Sequence, residues 1–240
     1  MVSRVFITAG QSNAAGQNPT VSTHLQASDA GIKIWTGAAW VTLINGTNNQ
    51  ALAAPATGYW GPEAQFAYLC RQAFPSDTIY ILKHAVGSTA ISYYLPGGTG
   101  YTALTNNLPT AYAALTDPVT EALIWYQGEQ DATTQVMADA YQANLEALHV
   151  VLKTTWRGNE TTRFLCAQVA PGDARPFLST VRAAQAAFCA VDPAIRKLND
   201  ATGYAMQGDA VHLNAAGLVS CGADMYANYT AARRSRMVWG

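Results

Sequence analysis

Short apolar runs separated by stretches of helical periodicity constrain the fold of this 240-residue chain more than any other feature. The runs cover residues 5–9, 78–83, 122–126 and 164–169, with a weaker one at 194–198. They are rich in Val, Ile, Leu and aromatic residues and show little apolar–polar alternation, the pattern of strands buried on both faces. Helical periodicity fills residues 62–73, 102–115, 136–155, 177–190 and 215–232, and Pro62 stands where a first helical turn tolerates proline. Strand alternating with helix predicts a three-layer α/β/α domain around a parallel sheet of about five strands. With no internal repeat and no low-complexity linker, residues 1–240 read as one domain. Residues 17–61 break the rhythm as an irregular insertion. Within them IKIWTGAAWVTL reads as a hairpin lying outside the main sheet.

The ends of the first three strands carry the chemistry. They run into Gly10-Gln11-Ser12-Asn13, His84-Ala85-Val86-Gly87-Ser88-Thr89 and Gln127-Gly128-Glu129-Gln130-Asp131. In an open parallel sheet, ligands bind in the crevice beyond the carboxyl ends of the strands, so three polar turns converge there. Ser12 is a candidate nucleophile. It is equally suited to capping a helix, and a serine hydroxyl reacts only with a base beside it and donors for the oxyanion it creates.

Four histidines compete for the role of base. His24 lies in the irregular insertion, and His149 sits among Leu145, Leu148 and Leu152 on a helical face. His84 ends a strand and is placed to reach the crevice. His212 follows Asp209 by three residues in GDAVHLN, a spacing that lets a carboxylate hold the imidazole tautomer locally. Ser12 N–H, Gly87 N–H and the Gln127 amide are the candidate oxyanion donors, while Gln11 and Asn13 flank the serine as candidate substrate contacts. Glu129 and Asp131 form a carboxylate pair with no histidine cluster beside it, so no metal site and no cofactor are expected.

Other chemistries lack their signatures. The chain has no GxxxxGK[ST], no GxGxxG after the first strand and no HExxH, and Ala14 breaks the GxSxG elbow. With 14 Lys+Arg against 15 Asp+Glu there is no electrostatic footprint for nucleic acid or an anionic membrane. Arg233, Arg234 and Arg236 read as a solvated tail. No apolar run has the length of a membrane span and no leader is evident, which points to a cytoplasmic protein or one exported within a larger assembly. Cys70, Cys166, Cys189 and Cys221 show no CxxC pair and stand in apolar contexts, as buried thiols do.

The blocks GQSN (10–13), GPE (61–63), Gly87, WYQGEQD (125–131) and DAVHLN (209–214) resemble those of SGNH hydrolases, in the right order and over residues 5–217. The branch they resemble is that of sialate O-acetylesterase-like and acetylxylan-esterase-like carbohydrate esterases. The resemblance implies a flavodoxin-like fold and removal of O-acetyl groups from a carbohydrate by a serine mechanism. It makes Ser12 the nucleophile, His212 the general base, Asp209 its acid partner with Glu129 as second choice, and Ser12, Gly87 and Gln127 the oxyanion donors. Where many members of the branch carry Met after GQSN, this chain has Ala14. Two other readings remain open at this point: a non-catalytic glycan-binding module of a surface or virion assembly, and a lipase or thioesterase using the same residues. Trp35, Trp40, Tyr59, Trp60, Tyr93 and Tyr94 suit either sugar stacking or packing of the hairpin and loops.

Overall fold

The computed structural model describes residues 2–17, 20–50, 52–53 and 58–237, with side chains described as far as residue 231. The side chains of Arg233, Arg234 and Arg236 therefore lie outside the described residues. Seven strands form one sheet: β1 (Ser3–Gly10), β2 (Ile32–Trp35), β3 (Trp40–Thr42), β4 (Thr78–Ala85), β5 (Val119–Tyr126), β6 (Arg163–Ala167) and β7 (Arg196–Asn199). Their spatial order is β3-β2-β4-β1-β5-β6-β7, parallel throughout except for the β2–β3 hairpin.

The five expected strands are present as β1, β4, β5, β6 and β7. The hairpin, expected outside the sheet, is part of it. Its first strand pairs in parallel with β4 (Ile32 with Ile79, Ile34 with Ile81) and extends the sheet to seven strands. The reason lies in burial: Ile32, Ile34 and Trp35 are all enclosed, so this strand has a sheet to join rather than a free edge to expose.

Successive β1 side chains point to opposite faces, as strand geometry requires. Val5, Ile7 and Ala9 enter one core with α3 (Thr99–Ala113), α4 (Gln135–Thr154) and α5 (Leu178–Val191). Phe6 enters the other, beneath α2 (Pro62–Ala73) and α6 (Ala215–Met237). The four cysteines are buried thiols. Among the described residues no helix is long and apolar enough to cross a membrane.

The chain builds outward from β1 to one side with β2 and β4, then crosses to the other with β5. The carboxyl end of β1 is therefore the topological switch point, where the sheet leaves a crevice. Gly10 lies level with Ala85 and Tyr126, which puts the turns after β1, β4 and β5 side by side.

Candidate active site

The turn after β1 is forced by glycine. Gly10 has φ +140°, and a Cβ there would lie 2.1 Å from the Tyr126 carbonyl oxygen. That close approach lets Gln11 N–H donate to Tyr126 O at 3.0 Å, while Tyr94 Oη donates to Gly10 O at 2.6 Å. The chain then enters α1 (Ser12–Ala15), a single turn that begins at Ser12. A Cβ added to Gly87 would lie 3.8 Å from Ser12 Cβ, so the turn after β4 closes directly over the serine. Among the described residues the N–H groups of Ser12 and Gly87 donate to no protein acceptor. Two backbone donors thus stand free beside one hydroxyl.

His212 is held by a local turn. Asp209 Oδ1 accepts from Val211 N at 3.0 Å and His212 N at 2.9 Å, and Ala210 between them adopts the left-handed φ of +56°. Asp209 Oδ2 meets His212 Nδ1 at 2.6 Å. The bond from the His212 backbone N–H is the largest influence holding the Asp209 carboxyl at about 2, below its ordinary range. The pairing leaves Nε2 as the ring nitrogen turned away from the acid.

Asn13 brings the serine turn and the histidine turn together. Its Nδ2 donates to Val211 O at 2.9 Å, and its Oδ1 accepts from Leu213 N at 2.9 Å. The residue after Ser12 thus grips the backbone on either side of His212. Asn13 Nδ2 also donates to Glu129 Oε1 at 2.8 Å. Glu129 is buried, with Oε2 unpartnered, and burial pushes its carboxyl pKa up. No hydrogen bond joins Ser12 to His212 among the described residues, and such contacts commonly tighten only when substrate binds.

These contacts revise several sequence expectations. Asn13, expected as a substrate contact, spends its amide on bonds inside the protein. Glu129 bonds to Asn13 and not to the His212 ring, whose partner is Asp209. Gln127 is fully buried, and its amide donates to Thr89 O at 2.9 Å and Asp131 Oδ2 at 2.5 Å. Both hydrogens are taken, and the Gln127 side-chain oxygen accepts from Tyr141 Oη at 3.0 Å, so this side chain has no donor left for an oxyanion. Gln11 Oε1 accepts from Gln130 N at 3.1 Å and Gln127 Nε2 at 3.3 Å, bracing the β1 and β5 turns against each other. Asp131, which also accepts from Ile91 N, is pushed up to about 6 by burial.

The other histidines leave the contest. His84 lies against Leu52 O and Tyr93 Oη, with its pKa lowered by burial. His149 packs edge-on against Phe164 and Phe188, and burial takes it to about 4. His24 bonds to Gln65 at 2.5 Å. Of the aromatic residues, Trp35, Trp60 and Tyr94 are core, and Trp40 packs edge-on against Trp35 and Tyr80. Tyr59 lines a cavity of about 290 Å³ that opens beside Gly87, together with Ala15, Gln17, Gln50 and Val86. No group of three His, Cys, Asp or Glu side chains is placed to hold a metal among the described residues.

Sequence reasoning missed a buried ion pair under the serine turn. Lys83 Nζ lies 2.7 Å from Glu63 Oε1, both side chains fully buried, and donates to Ala15 O at 3.1 Å. The signal was present in a lysine within an otherwise apolar strand and in the glutamate of GPE.

A parallel α/β/α sheet with a serine after β1, a glycine after β4 and an Asp-x-x-His turn before the last helix is the arrangement that the resemblance to SGNH hydrolases implies. Residues 2–231 match the model of the carbohydrate esterases described as sialic acid-specific acetylesterases, and the chain belongs to that family. Among solved structures, an Arabidopsis thaliana protein superimposes with a TM-score of 0.83 at 20% identity, covering 95% of this chain and 98% of its own. NanS gives 0.74 at 15% identity, with 98% of each chain covered. A carbohydrate acetylesterase from Xanthomonas citri gives 0.64 at 19% identity over 96% of this chain and 57% of its own. At these identities the structures establish the shared fold. No curated protein matches the sequence.

Proposed function

We propose that the protein is a serine esterase that removes O-acetyl groups from a carbohydrate. The observation that carries this reading is the Asn13 bridge. One side chain adjoining Ser12 fixes both backbone neighbours of an Asp209-paired His212, at a point where two unpaired N–H groups flank the serine. Membership of a carbohydrate-esterase family supplies the substrate class.

In this reaction Ser12 Oγ attacks the ester carbonyl and passes its proton to His212 Nε2. Asp209 stabilises the imidazolium that results, without taking the proton itself. The N–H groups of Ser12 and Gly87 hold the oxyanion. Collapse of the tetrahedral intermediate expels the sugar alkoxide, which takes the proton from His212. Water then attacks the acetyl-serine by the same route and releases acetate. None of these steps calls on a metal or an organic cofactor.

Hydrolysis of aryl acetate against aryl octanoate, by the wild type and Ser12→Ala, tests the reading. Acetate turnover that disappears in Ser12→Ala is the expected result. Preference for octanoate assigns the same residues to a lipase or thioesterase, and an inert wild type, on aryl and sugar acetates alike, assigns the chain to glycan binding without catalysis.

A further inference from the structure

Two backbone donors flank Ser12, and the side-chain amide that the family resemblance puts beside them, Gln127, has no hydrogen to spare. A different amide stands at the same place. A Cβ on Gly87 would lie 3.1 Å from Gln17 Nε2 and 3.8 Å from Ser12 Cβ, so Gln17, Gly87 and Ser12 border one small space. Gln17 is half-buried, and its side chain makes no hydrogen bond among the described residues. Its backbone is tied down, because Gln17 O accepts from Gln207 Nε2 at 3.0 Å. Gln207 in turn donates through its N to His212 O at 2.7 Å and through Nε2 to Leu213 O at 3.1 Å. The residue that offers a free amide is therefore anchored to the segment that carries His212, and it lines the cavity beside Gly87.

We propose that Gln17 Nε2 is the third oxyanion donor, completing with Ser12 N and Gly87 N the set that Gln127 cannot join. The inference rests on the esterase reading. As the Ser12 Oγ–carbon bond forms, the carbonyl π pair moves onto oxygen and the serine proton goes to His212. Gln17 keeps its own protons and donates a hydrogen bond to the charge that develops. Such a donor favours the transition state over the bound ester, so its loss is read in kcat rather than KM. Loss of one oxyanion donor typically costs about 10²-fold in kcat.

The test compares wild type, Ser12→Ala, Gln17→Ala and Gln17→Leu on 4-nitrophenyl acetate, with wild type and both Gln17 variants titrated to completion by a fluorophosphonate, so that kcat refers to folded enzyme, and Ser12→Ala as the blank. We expect kcat to fall about 10²-fold in both Gln17 variants, with KM changed less than about threefold, and thermal midpoints to stay near the wild-type value because the side chain is half-exposed and unbonded. Binding of an alkylboronic acid, which mimics the tetrahedral state, should weaken in parallel. A kcat within twofold of wild type, or a rise in KM alone, overturns the assignment while leaving the esterase intact. A wild type inert on aryl and sugar acetates overturns the esterase reading instead.

Discussion

If Asn13 sets the position of His212, then the decisive perturbations are Asn13→Ala and Glu129→Gln, taken together. Asn13 makes three hydrogen bonds: to Glu129 Oε1 at 2.8 Å, to Val211 O at 2.9 Å and from Leu213 N at 2.9 Å. Truncation to alanine leaves a buried carboxyl oxygen and two backbone groups without partners. A buried polar group stripped of its partner costs about 1–3 kcal/mol, and Val211 is partly open to water, so a total of about 3 kcal/mol follows. The histidine turn, released from the serine turn, loses its register. A displacement of about 1 Å between reacting groups costs about 10²-fold in rate. Asn13→Ala should therefore lower both the urea midpoint and kcat.

Glu129→Gln separates the clamp from an acid. The amide oxygen that replaces the carboxylate still accepts from Asn13 Nδ2, and a neutral group is more easily buried than a charged one, so kcat should fall less than about tenfold. Were Glu129 the carboxylate that orients His212, its conversion to an amide would cost about 10⁴-fold. The assay is kcat and KM on an aryl acetate beside urea unfolding of each variant. Asn13→Ala with unchanged kcat and stability but raised KM would return Asn13 to substrate binding and refute the clamp.

Four further outcomes follow from the contacts described above. Asp209→Asn turns an amide nitrogen toward His212 Nδ1 and imposes the wrong tautomer, so kcat should drop about 10³–10⁴-fold in steady-state assays. The folded pKa of Asp209 is depressed to about 2 from 3.8, so its stabilisation is present above pH 4 and lost between 4 and 2; with the side chain 47% exposed, urea titrations should read less than about 1 kcal/mol there. Asp131 is the opposite case: its folded pKa near 6 lies above the unfolded 3.8, so its contribution is fully favourable below about pH 4 and fades as pH rises through 6, by about 3 kcal/mol, a slope that Asp131→Asn should flatten. Lys83→Met strands the buried Glu63 carboxylate and should cost about 3–5 kcal/mol by urea unfolding, with Glu63→Gln in the same chain restoring much of the loss.

The sequence was most informative where a physical constraint acts along the chain. Apolar runs of strand length and the periodic segments between them placed β1, β4, β5, β6 and β7 and their helices, because burial on both faces leaves few other choices. The hairpin at 32–42 was harder to place: its length and turn read correctly, but whether a hairpin joins a sheet depends on which strand lies beside it, here β4 with Ile79 and Ile81 as register partners. The Asp209–His212 contact was legible because three residues of turn bring the two groups together whatever the rest of the protein does.

Side-chain direction was not legible, and it decides the roles inside the blocks. Gln127, Asn13 and Glu129 all stand on turns that reach the crevice, yet each points inward, because Asp131, Tyr141, Val211 and Leu213 present partners there. A motif of this kind therefore mixes two populations: residues that meet substrate and residues that keep the first group in register. The two are distinguished by whether their hydrogen-bonding capacity is already spent. By that criterion Gln127 belongs to the frame, although it lies within the more specific block. Gln17, which no block contains, has an unbonded amide beside Gly87 and Ser12. The insertion at 17–61 thus contributes to the candidate site through its first residue, the point at which this part of the chain is least predictable from its pattern.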